Sequence, residues 1–389
     1  MTGFHQVTIG DVLALQRGFD ITKSEQTDGE IPIVSSSGIA SYHNKWKVKG
    51  PGVVIGRKGT LGTVHFVQSN YWPHDTTLWI KDFKGNDPTF LNYFIQTLKL
   101  ENFDVGSSNP TLNRNHVHKI KIIFPRNVET QKRIGAVLSA YDDLIVSNQQ
   151  CIALLEKMAE EIYREWFVRL RFPGYEKVKI VKEVPEGWQR KGLSSLGTYL
   201  NGYAFEPSDW GFEGIPIIKI KEMTGRVTAE TPRNSGENIP GKYHFDDDAV
   251  IFSWSATLLV LIWDQGPGLL NQHLFKVDPI PEVPKSFLYF SIKFSIPIFE
   301  SLTTGATMQH IKRKELEVVK VNLPPVNLLN QFNALVSPMV KQKLALTRAN
   351  RNLIQTRDLL LPRLISGKLS VENLDIQFPP SMEEPVHET

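Results

Sequence analysis

Cysteine, long apolar runs and a strong net charge are all missing from this sequence. Cys151 is the only cysteine among the 389 residues, which excludes an intrachain disulfide and a thiolate metal cage within one chain. No apolar stretch is long enough to span a bilayer, and no charged flank with an apolar run marks a signal peptide. We therefore expect neither membrane insertion nor secretion, and the reducing cytoplasm fits best.

The motifs of common catalytic sites are missing as well. The segment 56–60 lacks the spacing of a phosphate-binding loop, and no dinucleotide-binding turn, HExxH helix or G-x-S-x-G elbow is present. The segment 108–111 lacks the second proline and the aromatic residue of a DNA amino-methyltransferase loop, and the acidic run 246–248 lacks the partner residues of a nuclease site. We predict a non-catalytic chain with no metal and no cofactor of its own.

The charge that is present is unevenly distributed. The net charge is +3, which is low for a protein that binds DNA by charge alone. Residues 326–369 carry seven basic side chains against one acidic, and the last 20 residues carry five acidic and no basic side chains. The outer face of a coiled coil normally mixes charges, so the basic segment indicates a phosphate backbone or an acidic partner.

Short motifs recur in the same order in the two halves of the chain, which indicates an internal repeat. Each half alternates β-rich runs with Gly, Pro, Asn and Asp, which is typical of a mixed α+β domain with loop-rich edges. The matched segments are 18–19 with 202–203 and 31–33 with 215–217 at an offset of 184, 53–55 with 250–252 at 197, 77–80 with 273–276 at 196, 106–125 with 305–324 at 199, and Gln131 with Gln331 at 200.

The same patterns predict particular elements. Strands are predicted at residues 53–55, 63–67, 77–80 and 120–124, and helices at 90–100 and 285–299.

Two long helices are predicted after the globular halves, each with a seam of positions spaced alternately by three and four residues, as in a coiled coil. At about 30 residues each would be roughly 45–50 Å long. We expect the two helices to pair antiparallel as a spacer, with Asn148 fixing the register and Pro362 and Gly367 closing the second helix. A helix bundle of another kind is the alternative. The first seam contains Ile134, Leu138, Tyr141, Ile145, Asn148, Ile152, Leu155, Ala159, Ile162 and Trp166, and the second contains Phe332, Leu335, Met339, Gln342, Leu346, Ala349, Leu353, Thr356 and Leu360.

Together with the segments 106–112, 305–311 and above all 359–369, this organisation resembles the specificity subunits of type I restriction-modification systems over nearly the whole chain. The resemblance implies two target-recognition domains alternating with two helical conserved regions. The boundaries are then 1–125 for the first recognition domain, 126–172 for the first helical region, 173–325 for the second recognition domain, 326–369 for the second helical region and 370–389 for an acidic, flexible tail.

The resemblance also implies a function. Each recognition domain would read one half of a split, asymmetric target in double-stranded DNA, and the helix pair would set the unread gap. Two methyltransferase subunits would dock on the helices and bring S-adenosylmethionine, and motor-nuclease subunits would bring ATP and magnesium.

DNA contacts are predicted from exposed basic and amide side chains on loops. The basic loop at residues 56–58 corresponds in the repeat to Ser253, Trp254 and Ser255. Because these residues carry no positive charge, the predicted DNA-binding role of the loop does not carry over directly to the second half. The predicted DNA-binding residues are Arg57, Lys58, Thr60, Lys45, Lys47, Asn113 and Arg114 in the first half, and Lys219, Lys221, Gln272, His273, Gln309, Lys312 and Arg313 in the second.

Two other functions remain open from the sequence. The chain could be a non-catalytic coiled-coil scaffold that presents two protein- or glycan-binding domains, or an enzyme with an unrecognised active site. Binding to one bipartite DNA sequence would distinguish a specificity subunit from both.

Overall fold

The computed structural model describes residues 3–103, 111–302, 311, 313–379 and 382. The chain forms two compact units. Unit 1 comprises Met1–Ser147 with Asn352–Thr389, and unit 2 comprises Asn148–Arg351. Each unit therefore contains one globular part and a portion of both long helices.

Unit 1 is built on a four-stranded sheet of order β2-β8-β5-β6, a three-stranded sheet of order β4-β3-β7 and a pair β1-β9. Its strands are β1 Phe4–Thr8, β2 Ala14–Arg17, β3 Ile31–Ser35, β4 Gly38–His43, β5 Gly52–Gly56, β6 Val64–Val67, β7 Trp72–Pro73, β8 Thr77–Asp82 and β9 Lys121–Pro125. Its short helices are α1 Ile9–Val12, α2 Pro88–Gln96 and α3 Arg114–His118, and the long helix α4 runs over Val128–Tyr163.

Unit 2 has sheets of order β13-β20-β17-β18 and β15-β14-β19-β16 and the pairs β12-β21 and β10-β11. Its strands are β10 Ile180–Val181, β11 Val184–Pro185, β12 Gln189–Gly192, β13 Gly197–Asn201, β14 Ile215–Ile218, β15 Arg233–Asn234, β16 His244–Phe245, β17 Val250–Ser253, β18 Leu259–Ile262, β19 Gly268–Leu270, β20 Leu274–Pro279 and β21 Lys320–Leu323. Its helices are α5 Ile220–Thr224, α6 Lys285–Leu302, α7 Arg313–Val318 and the long α8 Val326–Ile365.

The internal repeat is present in the topology. The sheet order β2-β8-β5-β6 corresponds to β13-β20-β17-β18, β1-β9 corresponds to β12-β21, and the parallel pair β3-β7 corresponds to β14-β19. Each four-stranded sheet packs with the helix that follows it, α2 or α6, and with a long helix into one hydrophobic core. The predicted α+β class with an internal repeat and two long helices is confirmed.

Strand register corrects one of the offsets predicted from the sequence, and the starts of the long helices correct another. Val54 pairs with Trp79 and Ile251 pairs with Lys276, so β8 and β20 correspond at 197, not at 196. The long helices begin at Val128 and Val326, which makes their offset 198 rather than 200. Strands β5 and β8 are paired in the same register as their counterparts β17 and β20. Both strands therefore correspond to their counterparts at the same offset of 197.

The helix predicted at residues 90–100 lies two to four residues earlier, at Pro88–Gln96, because Asp87 caps its N-terminus by accepting a hydrogen bond from Phe90 N–H at 2.7 Å. Its residues 89–95 are all buried.

Helices α4 and α8 contain 36 and 40 residues, or about 54 and 60 Å at 1.5 Å per residue. They run antiparallel within each unit. In unit 1 Asp142 of α4 pairs with Arg357 of α8, and in unit 2 Asn148 Nδ2 donates to Asn350 Oδ1 at 2.8 Å. Helix α8 also continues past Pro362 to Ile365, so this proline does not end it.

The alternate positions of the predicted α8 seam, Leu335, Gln342, Ala349 and Thr356, are each wrong by one residue. Leu335 is 47% exposed, whereas the adjacent Val336 is fully buried. The other predicted seam positions agree with the structure, namely 332, 339, 346, 353 and 360. The positions that alternate with them in the structure are 336, 343, 350, 357 and 364. Sequence patterning missed them because three of these positions hold Lys343, Asn350 and Arg357, which are polar.

The basic segment of α8 finds much of its counter-charge inside its own unit. Lys343 Nζ lies 2.7 Å from Glu156 Oε1. Arg348 and Arg351 both reach Asp247 Oδ2, at 2.9 and 2.8 Å. The sequence predicted that an external partner would neutralise this charge. The basic residues of this segment that remain for such a partner are the exposed Lys341, Arg363 and Lys368.

The first part of the acidic tail is attached to unit 1. Val371 is 2% exposed and joins the core, and Arg133 of α4 donates to the carbonyl of Val371 at 3.3 Å. Arg133 also donates to the carbonyls of Glu372 and Leu374, so the start of this tail is held against α4. Within the part of the chain that the structure describes, none of the helices has the length and apolar character needed to cross a membrane.

Candidate nucleic-acid interface

The loop between β5 and β6 of unit 1 is fixed by backbone hydrogen bonds. The N–H groups of Arg57 and Lys58 donate to the carbonyl of Thr76 at 2.9 and 3.0 Å, and the Arg57 carbonyl accepts from Leu112 N–H at 3.0 Å. Because its backbone is held from two sides, Arg57 has a defined position at the end of the four-stranded sheet. A functional loop on a rigid scaffold is the usual arrangement of a binding site.

A cleft of about 400 Å³ opens beside this loop. It brings together two predicted sites that are far apart in sequence, the loop with Arg57 and the segment with Asn113 and Arg114. The cleft is lined by Arg17, Arg57, Leu78, Thr111, Leu112, Asn113 and Arg114.

Arg17 enters the cleft from the end of β2 and is not among the residues predicted from the sequence. Its Nη2 donates to Asp75 Oδ2 at 2.7 Å, and the Asp75 side chain is largely buried. Burial alone would raise the pKa of Asp75, but the hydrogen bond from Arg17 and the charges of His74, Arg17 and Lys58 hold it below the ordinary value. The only signal for Arg17 in the sequence is its place directly before the repeated Gly18.

The guanidinium of Arg57 has one buried donor without a partner among the described residues. This donor is Nη1. Burial lowers the pKa of Arg57, and the positive charge of Arg17 lowers it further, against the opposing effect of Asp75. Leaving a buried donor unsatisfied is unfavourable, so this site is suited to a ligand that carries hydrogen-bond acceptors.

The other predicted residues of unit 1 are divided between the cleft and its surroundings. Lys58 is half-buried and Thr60 is exposed in the same loop. Asn113 caps α3 by accepting from Asn115 N–H at 2.9 Å, which leaves its amide donors available. Arg114 is exposed at the cleft.

Lys45 and Lys47 are exposed but do not belong to the residues that line the cleft. Lys47 Nζ lies over the rings of Trp72 and Phe19, at 4.9 and 5.7 Å from their centroids. A cation–π contact orients this charge on the surface.

The backbone arrangement of this site recurs in unit 2. Ile311 N–H donates to the carbonyl of Trp254 at 2.9 Å, and Trp254 N–H donates to the carbonyl of His273 at 3.4 Å. These bonds place Trp254 where unit 1 has Arg57.

The side chains at these equivalent positions differ between the units. Trp254 is half-buried, and its Nε1 donates to Asn201 Oδ1 at 3.0 Å. Asn201 ends β13 as Arg17 ends β2. One backbone arrangement therefore carries two arginines in unit 1 and a tryptophan with an asparagine in unit 2.

The remaining predicted residues of unit 2 lie on loops and element ends. Lys219 Nζ sits 4.0 Å from the centre of the Trp210 ring, and Lys221 is exposed. Gln272 and His273 precede β20, with His273 exposed. Gln309 and Lys312 lie outside the described residues. So does the side chain of Arg313, whose backbone begins α7.

One cluster of described residues in unit 1 has the donor set of a metal site. Ligand atoms of Asp20, His74 and Asp75 lie within 4.8 Å of one another. Arg17 already pairs with Asp75, and its positive charge would compete with a cation there. We therefore assign Asp75 the function of positioning Arg17.

Comparison with known proteins gives one consistent family. The family model for the type I restriction modification DNA specificity domain matches residues 1–157 and 185–354. The MjaIX type I restriction enzyme specificity subunit of Methanocaldococcus jannaschii is 26% identical over 387 residues, covering 90% of this chain and 89% of that protein. The HindI specificity subunit of Haemophilus influenzae is 23% identical, covering 67% of this chain and 71% of that protein.

The fold has a solved counterpart. The crystal structure of a type I restriction-modification S subunit from M. genitalium superposes with a TM-score of 0.65 at 15% sequence identity, covering 93% of this chain and 96% of that one. The fold is thus shared despite low identity. Since the family model matches most of the chain in two successive segments, one for each half of the repeat, this protein belongs to the type I restriction-modification DNA specificity family.

Proposed function

We propose that this chain is the non-catalytic DNA-reading subunit of a type I restriction-modification complex and that it reads a split, asymmetric target. The observation that carries the proposal is the repeated backbone arrangement with different side chains, Arg57 and Arg17 in unit 1 against Trp254 and Asn201 in unit 2. A shared scaffold places each set in the same way. Different donors and acceptors at the base edges then select different sequences.

We further propose that α4 and α8 set the length of the unread gap. Both helices run through portions of unit 1 and unit 2, and a paired helix is stiff along its axis. Base pairs rise ~3.4 Å, so a helix of this length corresponds to more than one turn of DNA. This supports a ruler function.

The helices also offer apolar surface for partner subunits. Leu144, Leu154 and Met158 of α4 and Leu359 of α8 are exposed, although apolar side chains on a lone helix pair would ordinarily be buried. We expect two methyltransferase subunits with S-adenosylmethionine to cover them. Motor-nuclease subunits would add ATP and magnesium, and such an assembly would act on DNA in the cytoplasm.

The test is a genome-wide map of methylated adenine in the native host, with and without the gene for this chain. We expect methylation at one bipartite motif to disappear on deletion and to return with the intact gene. Methylation that is unchanged after deletion would contradict the proposed function. A scaffold for proteins or glycans predicts that unchanged result.

A further inference from the structure

Two guanidinium groups from different parts of unit 1 meet in one cleft. Arg17 comes from the end of β2, and Arg57 comes from the β5–β6 loop. We propose that Arg17 and Arg57 together read guanine in the half of the target that unit 1 contacts. This inference rests on the proposed function and names the base and the residues that read it.

Guanine fits the donors that these residues offer. In the major groove it presents two acceptors, O6 and N7, whereas adenine presents one acceptor and one donor and cytosine presents a donor. Arginine carries only donors, in a planar fork that matches two adjacent acceptors. Nη1 of Arg57, which is buried and has no hydrogen-bond partner in the part of the chain that the structure describes, is a donor of this kind. A DNA phosphate offers acceptors as well, and the experiment below separates the two sources.

Both side chains are prepared for this contact. Arg17 Nη2 forms an ion pair with Asp75 Oδ2 at 2.7 Å. This ion pair fixes the orientation of the guanidinium and of the remaining donors of Arg17. The backbone of Arg57 is held by Thr76 and Leu112. Groups that are positioned before binding lose less conformational freedom when the ligand arrives.

Unit 2 provides an internal contrast. Trp254 stands at the position of Arg57, and its single donor is already bonded to Asn201 at 3.0 Å. Neither residue supplies a guanidinium fork. The guanine preference that depends on Arg17 and Arg57 should therefore occur in one half of the target only.

The experiment selects DNA duplexes from a library randomised over both half-sites, with the full chain in complex with the methyltransferase subunit that co-purifies with it. Wild type is compared with Arg57→Lys and Arg17→Lys, which keep the charge and lose the fork, and with Arg57→Gln. In wild type we expect a guanine at one or two adjacent positions of one half-site. Each Lys variant should lose about tenfold of the discrimination at that position, or about 1.4 kcal/mol, because it removes one bidentate contact to guanine.

Two further variants control for general effects. Arg126→Lys changes an exposed arginine of unit 1 that does not line the cleft, and it should leave every position unchanged. Asp75→Asn removes the ion pair of Arg17 while keeping the side-chain size, and it should weaken the same guanine preference. Melting temperatures close to that of wild type verify that each variant is folded.

The outcomes distinguish a failure of guanine reading from a failure of the proposed function. If the wild-type complex selects no sequence at all, the proposed function fails. If it selects a bipartite site but both Lys variants keep the full guanine preference, guanine reading by these arginines is wrong. Guanine reading is also wrong if Arg57→Gln lowers affinity equally for all sequences with a salt slope reduced by about one, since that is the behaviour of a phosphate contact.

Discussion

Single side chains hold the cleft together, and His118 is an example. Its Nε2 accepts a hydrogen bond from Leu15 N–H at 2.9 Å, which connects α3, the helix of Arg114, to β2, the strand of Arg17. Burial lowers the pKa of His118 below its ordinary value of 6.5, and the charges of Arg114 and Lys84 lower it further. Because Nε2 accepts this hydrogen bond, the bond requires the neutral imidazole.

This gives a pH dependence with a definite sign. Because the folded pKa is depressed, the contribution of His118 is fully present above the unfolded value of about 6.5 and is lost as pH falls through the folded value. Urea unfolding of the wild type between pH 8 and 5 should show falling stability. His118→Gln should flatten that decline, and His116→Gln, an exposed neighbour on α3, should not. Equal slopes for all three proteins would be evidence against this contribution.

Two glycines permit the close approach of strands at equivalent places in the repeat. A Cβ at Gly18 would overlap the carbonyl oxygen of His74, and a Cβ at Gly202 would overlap that of Asn271. Gly241, by contrast, has open space around it. At Gly18 and Gly202, glycine is therefore required because a side chain would not fit between the two backbones.

We therefore predict that Gly202→Ala destabilises unit 2 by about 1–3 kcal/mol, the range for overpacking, while Gly241→Ala leaves its stability nearly unchanged. Thermal unfolding of the two variants beside wild type measures the difference. Equal melting temperatures for all three would show that β13 can shift away from Asn271.

At the scale of the helices, the polar pair Asn148–Asn350 is the most informative contact. Asn350 is 7% exposed, and it bonds Asn148 in a seam that is otherwise largely apolar. A paired amide in a seam fixes register, because shifting the helices would separate the partners.

Replacing one partner should therefore be worse than replacing both. Asn350→Leu alone should lower the unfolding free energy by about 1–3 kcal/mol, whereas Asn148→Leu combined with Asn350→Leu should be nearly neutral. A double-mutant cycle from urea unfolding gives the coupling. Strictly additive losses would mean that the bond contributes nothing.

For the whole molecule, the ruler function predicts a change in the recognised gap. Four residues inserted after Ser147 in α4 and after Arg351 in α8, where the units divide, add about 6 Å. This equals about two base pairs at ~3.4 Å each. Methylation mapping of the variant should find both half-sites unchanged and the gap longer.

The matched control inserts four residues at the exposed turn of Lys84 and Gly85, which should leave the gap as it was. If the helix insertions also leave it unchanged, the helices are not the ruler.

The sequence by itself determined the α+β class, the repeat and the two long helices. These depend on local patterning, because hydrophobic periodicity and turn residues act over a few positions along the chain. The helix seam shows the limit of such patterning, since Lys343 and Arg357 lie at seam positions only because Glu156 and Asp142 stand opposite.

Tertiary structure alone decided the register of the repeat and the composition of the cleft. Arg17, Arg57 and Arg114 are separated by 40 and 57 residues in the chain, and strand pairing and the Leu112–Arg57 bond bring them together. Contacts over such distances depend on how whole elements pack. The local pattern does not show which residues such contacts bring together, which is why Arg17 was not predicted even though it precedes the repeated Gly18.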